Sequence, residues 1–174
     1  MLLSNDGTLP LSRQRKLRAY LSGLDAKIAS QYAEVVDEPK GADVAILRVN
    51  SVLGGFRPGA EGAEVSIEFP KETMAKIKSV ADSGVPTVVA VNLGSTLVVL
   101  PRELLSTAKA TLMVFDVLDA PLLDVIFGKF NPAGKLPFEL PSSMEAVRNQ
   151  KEDLPYDSKD PLFKFGFGLS YAKR

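Results

Sequence analysis

The sequence predicts an α/β fold: a layered sandwich with a mostly parallel central sheet and helices on both faces. Three observations predict it. Residues 44–49 (VAILRV), 87–93 (TVVAVNL) and 110–117 (ATLMVFDV) are short runs rich in apolar residues, apolar on successive positions. A strand covered on both faces reads this way, whereas a half-solvated strand alternates. Between these runs lie segments of helical period, and strands alternating with helices indicate parallel βα units. Gly and Pro punctuate the joins.

Taken in order, residues 1–15 form a linker or lead-in segment with a tight turn at Asn5-Asp6-Gly7. Residues 16–21 are a strand candidate, and 25–31 a weak helix with Asp25 as N-cap. A second short strand covers 32–36. After the 44–49 strand, 50–62 is a loop rich in Gly and Pro, and 64–69 alternates. Pro70 stands where a helix begins, a position at which its missing N–H costs nothing. The helix runs over 71–83, with Met74, Ile77, Val80 and Ala81 on one face and Gly84 at its end. Short helices are expected over 101–107 and over 121–127, the latter ending at Gly128. Asn131-Pro132 and Gly134 make a turn. Pro137 and Pro141 restrict the extended piece 136–138 to an edge or an arm. Residues 142–160 are polar and prolyl, a long surface loop. Phe163, Phe165 and Phe167 alternate, which predicts one buried face of a terminal strand.

Bulk properties narrow the function. A chain of 174 residues is expected to form a single domain, 1–174, and at that size buries roughly 70% of its unfolded surface. The 21 basic and 21 acidic residues cancel, so neither nucleic acid nor a membrane surface is an expected partner. There is no Cys and no His, which removes disulfides, thiolate chemistry, Ser-His-Asp catalysis and most zinc sites. No apolar run reaches membrane-spanning length. The start lacks a basic stretch followed by a long apolar core, so no secretory signal and a cytoplasmic location are expected.

No cofactor or metal is expected. Gly54-Gly55 and Gly59-x-x-Gly62 match neither dinucleotide nor P-loop spacing, and no acidic cluster has EF-hand spacing. In open α/β sheets ligands bind beyond the carboxyl ends of the strands. The loop after 44–49 leaves such an end and carries Glu61, with Glu64 just beyond it. Asp116 and Asp119 stand at another such end and read as a turn and a helix cap before Pro121, while Asp124 reads as part of a solvated helix face.

Two longer motifs carry a resemblance. Phe127-Gly128-Lys129-Phe130-Asn131-Pro132-Ala133-Gly134-Lys135-Leu136-Pro137 is followed by Phe165-Gly166-Phe167-Gly168-Leu169-Ser170-Tyr171. Together they resemble the end of the C-terminal α/β domain of family 3 glycoside hydrolases, the β-glucosidases and β-N-acetylhexosaminidases. The opening Leu2-Leu3-Ser4-Asn5-Asp6-Gly7-Thr8-Leu9-Pro10-Leu11 is similar to the family's passage from barrel linker to C-terminal domain, with Ser4 in place of the usual Lys. The resemblance therefore covers the chain and leaves out the (β/α)8 barrel.

It implies a C-terminal domain or split subunit of a retaining β-glycosidase. Such a domain forms one wall of the sugar pocket and docks on a barrel that holds the nucleophilic Asp. The chain alone lacks that nucleophile. The expected partner is the barrel or a second copy of the chain, and a β-linked sugar is expected only with the barrel. In many members a Glu in this loop, often within Tyr-Ala-Glu-Gly, is the general acid/base. Gly59-Ala60-Glu61-Gly62 resembles that motif without its Tyr and points to Glu61. An ungapped count back from Phe69-Pro70 instead places the Glu of one common form at Gly59. Gly94-Ser95-Thr96 stands where many relatives carry Gly-Arg-Pro, and Phe167 where they often carry His or Tyr. The substituted loop and the missing Arg support an alternative, a non-catalytic protein-interaction module derived from the domain. A flavodoxin-like binder of small ligands is a third reading, resting on fold class alone.

Overall fold

The structure, a computed structural model, describes residues 1–11, 15–51, 67–94, 97–151 and 153–171. Its strands are β1 (Leu2–Asn5), β2 (Arg18–Ser22), β3 (Glu34–Val36), β4 (Val44–Asn50), β5 (Thr87–Asn92) and β6 (Ala110–Val114). Its helices are α1 (Ala26–Ala29), α2 (Lys71–Ala81), α3 (Arg102–Thr107), α4 (Asp119–Ile126) and α5 (Met144–Arg148). The six strands form one sheet in the order β1-β6-β5-β4-β2-β3. All neighbours are parallel except β1, which runs antiparallel to β6. The three apolar runs of the sequence are thus adjacent central strands, as their composition requires.

Both faces are covered, and the period of two sorts the side chains between them. Ile46, Val88, Ala90 and Leu112 pack with Ala29 of α1 and Leu122, Leu123 and Ile126 of α4. Ala45, Leu47, Val89, Val91 and Met113 pack with Ile77 and Val80 of α2 and Leu104 of α3. Helix α1 begins as expected, with the Asp25 carboxylate accepting from Ile28 N at 3.0 Å. Helix α2 follows Pro70 and turns Ile77 and Val80 inward, while Met74 and Ala81 are half-buried at the rim of that face.

Several expectations are corrected. The lead-in segment carries β1, whose backbone is stitched to the end of β6: the Met1 ammonium donates to Met113 O at 2.7 Å and Met113 N donates to Met1 O at 2.8 Å. The strand expected over 110–117 stops at Val114, because Asp116 takes φ +42 and turns the chain out of the ladder. The 142–160 loop contains α5, capped by Ser143, whose Oγ accepts from Ala146 N at 3.0 Å. The three phenylalanines do not share one face of a strand. Gly166 at φ +76 turns the backbone, so Phe163 and Phe167 meet with ring centroids 4.6 Å apart over the α2–α3 cluster. Phe165 is exposed and packs on Tyr156 instead. The 136–138 arm keeps to an edge as expected, and Leu136 anchors it at 1% exposed.

Candidate functional site at the carboxyl ends of the strands

The parallel strands end on a polar cluster. Asn50 closes β4 and Asn92 closes β5, and the two are register partners. The Asn92 carboxamide donates to Asp116 Oδ1 at 2.8 Å and to Asn50 Oδ1 at 3.3 Å, and its own oxygen accepts from Asp116 N at 2.8 Å. The Asn92 carbonyl accepts from Ser51 N at 2.8 Å, fixing the residue at which the following loop departs. Asn92 is 9% exposed, so these bonds satisfy a buried amide. Asp116 stands exposed beyond it, with Phe115 and Leu118 exposed on either side in sequence.

A second polar link lies on the α1–α4 side. Arg48 of β4 is ion-paired with Asp119 Oδ1 at 2.7 Å, and Asp119 Oδ2 accepts from Asp25 N at 2.7 Å. Asp119 is the first residue of α4, with Leu118 at the cap position. Its carboxylate therefore ties β4, α1 and α4 together instead of capping its own helix as the sequence suggests. Asp124 is likewise no solvated carboxylate: Tyr32 Oη donates to it at 2.8 Å and Lys129 pairs with it at 3.2 Å.

Glu61 and Glu64 lie outside the described residues with the rest of 52–66, as do Ser95 and Thr96. The glycines at 54, 55, 59 and 62 fall in the same span. Among the described residues no three His, Cys, Asp or Glu side chains gather to hold a metal ion, and no helix is long and apolar enough to cross a membrane.

Among the cavities of the described residues, two bear on the ends of the sheet. One of about 440 Å³ is lined mainly by apolar groups, among them Met1, Phe115, Val117, Leu122 and Val125, and by the Asn131–Lys135 stretch. It adjoins the carboxyl end of β6. The other, of about 500 Å³, includes Arg15, Lys16, Tyr32, Asp124 and Lys129 and lies at the amino ends of the strands. Two of its cations are already paired, Arg15 with Asp43 and Lys129 with Asp124. The Arg15 hydrogen bond holds the Asp43 carboxyl below its usual range. The polar crest, not this larger cavity, occupies the place where open α/β sheets bind ligands.

The glycosyl hydrolase family 3 C-terminal domain model matches residues 15–171. The chain belongs to this family. Beta-glucosidase C of Emericella nidulans is 35% identical over 178 residues, which is 98% of this chain and 28% of that protein. The periplasmic beta-glucosidase/beta-xylosidase of Dickeya chrysanthemi is 37% identical over 179 residues, 98% of this chain and 26% of that protein. The family 3 domain described here thus spans about a quarter of the length of these relatives. The same fold recurs in the beta-glucosidase of Listeria innocua in complex with gluconolactone, with a TM-score of 0.73, 18% identity, and coverage of 99% of this chain and 32% of that one. It recurs also in beta-D-glucoside glucohydrolase from Trichoderma reesei, with a TM-score of 0.71, 20% identity, and coverage of 99% and 35%.

The Asn50–Asn92–Asp116 cluster is what sequence reasoning missed within this family 3 domain. A signal was present: Asn50 directly follows one apolar run and Asn92 stands last but one in the next. Joining them requires the strand register, because the two residues are 42 apart in sequence.

Proposed function

We propose that this domain completes a retaining β-glycosidase acting on β-glucoside-like substrates, by docking on a (β/α)8 barrel and forming one wall of the sugar pocket with the carboxyl ends of β4, β5 and β6. The observation that carries the reading is the match along nearly the whole chain to about a quarter of proteins named as β-glucosidases. The exposed Leu118 beside the polar crest supplies apolar surface for such a contact. In this reading Glu61 is the general acid/base and the barrel brings the nucleophile. Both carboxyl groups are required, because retention proceeds through a covalent glycosyl-enzyme intermediate.

The test is hydrolysis of an aryl β-glucoside by the purified chain, alone and with a family 3 barrel domain. No turnover is expected from the chain alone. Turnover is expected on adding the barrel, with a loss on the order of a hundredfold or more in E61Q. Turnover by the chain alone, abolished by E61Q, would show that one chain holds the complete site. The absence of Arg from Gly94-Ser95-Thr96 favours a second reading, a non-catalytic interaction module. A chain that binds the barrel without any turnover would establish that reading instead.

A further inference from the structure

Asp116 combines four features. It lies just past the end of β6, on the crest of the sheet. It is a non-glycine residue at φ +42, a conformation that costs free energy and is kept only where its surroundings enforce it. What enforces it is Asn92, which accepts from the Asp116 amide and donates to Asp116 Oδ1, both at 2.8 Å. Finally, the carboxylate is exposed, and among the described residues nothing bonds to its Oδ2 and no cation pairs with it.

The neighbours define the chemistry. Phe115 is 46% exposed, and Phe138 holds its ring edge-on at a centroid distance of 6.2 Å. Leu118 is 76% exposed. A sugar presents hydroxyl donors at its rim and C–H hydrogens on its ring faces. A carboxylate is a strong acceptor for the first. The negative face of an aromatic ring suits the second. A cation would also suit the carboxylate and the Phe115 ring face, but the exposed Leu118 offers it nothing.

We propose that Asp116 is a sugar-binding residue: its Oδ2 accepts hydrogen bonds from saccharide hydroxyls, Phe115 supplies an apolar platform, and Asn92 is the positioning residue that aims the carboxylate. The proposal rests on the glycosidase reading for its ligand class but not on turnover. Asn92 acts through Asp116 and does not itself touch the sugar.

The experiment is NMR titration of the ¹⁵N-labelled chain with glucose and with cellobiose, alone and with a family 3 barrel. The signals to follow are the Asn92 side-chain amide and the Asp116 backbone amide. Both are expected to shift saturably. D116N keeps the oxygen that Asn92 bonds and tolerates the positive φ. It replaces Oδ2 by a donor, so affinity is expected to fall about tenfold or more. N92D sets two carboxylates against each other and is expected to lower both Tm and affinity. The double variant N92D/D116N restores one carboxylate facing one carboxamide. With the NH2 of the new carboxamide turned to the new carboxylate and its oxygen outward, Tm should recover and affinity should return only in part, since the outward acceptor is uncharged.

Equal affinity in D116N and the double variant, with Tm recovered, would mean that the outward acceptor is not used and would overturn the proposal. So would unchanged saccharide affinity in D116N, or the absence of saccharide binding in both settings. Weaker barrel binding by D116N with saccharide binding intact would make Asp116 an interface residue. Saccharide binding without hydrolysis in the presence of the barrel would count against the glycosidase reading alone.

Discussion

Strand β5 and the tail from residue 131 to 171 both rest on the apolar cluster of the α2–α3 face, through Val89 and Val91 in one case and Leu136, Leu140, Phe163 and Phe167 in the other. Their backbones are held differently. Every residue of β5 is buried between two parallel ladders, so each of its bonds is supported by the next. The tail touches its partners at separate points. Leu136 N donates to Phe167 O and Gly166 N to Leu136 O; Leu140 N donates to Phe163 O and Leu162 N to Leu140 O; Leu169 N donates to Leu2 O. Burial alone therefore does not make a region part of the cooperative unit. A region tied at points opens locally, whereas a central strand opens only when the whole domain unfolds.

The largest expected effect comes from breaking the strong side of this comparison. Ile46 is fully buried in β4, so I46A should cost about 2–5 kcal/mol. Urea denaturation should show one cooperative transition at lower midpoint, with hydrogen-exchange protection falling throughout. On the weak side, a Cβ at Gly168 would collide with the Gly134 carbonyl oxygen. G168A should cost about 1–3 kcal/mol by overpacking. Exchange at Leu169 N and Gly166 N should quicken while β4 and β5 amides keep their protection. Equal loss in both regions would show that tail and sheet open together.

The smallest effect is at the tail's last contact among the described residues. Tyr171 Oη donates to Val125 O at 2.8 Å, and burial pushes its pKa up to about 12. A tyrosine whose folded pKa is raised stabilises the fold fully below its unfolded value of about 10. That contribution fades as pH rises toward 12. Partial exposure of the side chain moderates it. Spectrophotometric titration at 295 nm should show a late phase that disappears in Y171F. Between pH 10 and 12 the wild type should lose stability more steeply than Y171F.

How much was legible follows from where each signal resides. Strands β4, β5 and β6 declare themselves because burial on both faces requires apolar residues at successive positions, a purely local pattern. Helix α2 is legible from the period of Ile77 and Val80 after Pro70, and α1 from Asp25. The tail was recognisable by resemblance, but its path was not. Alternating phenylalanines predict a strand until Gly166 turns between them, and only the close approach of Gly134 and Leu136 decides that it does. Helix α5 escaped because none of its residues is buried, leaving no apolar stripe to read. The crest was half legible. Asp116 was read as a turn, but its bond to Asn92 depends on which strands are neighbours.

Strand β1 settles how this sheet can meet another molecule. It occupies one side of β6, and its own outer side is bridged at Leu2 by Leu169. At the opposite end the sheet finishes on β3, whose Glu34–Val36 span is three residues long. Among the described residues, neither margin offers a long row of unsatisfied amides and carbonyls for a visiting backbone to zip onto. Recognition by strand addition, one common way for sheets to take a peptide, is poorly served here. Docking of the kind proposed above would fall instead to side chains and turns, whose shape can be specific to one counterpart. A domain constructed this way can expose a docking face without also inviting growth into sheet-to-sheet aggregates.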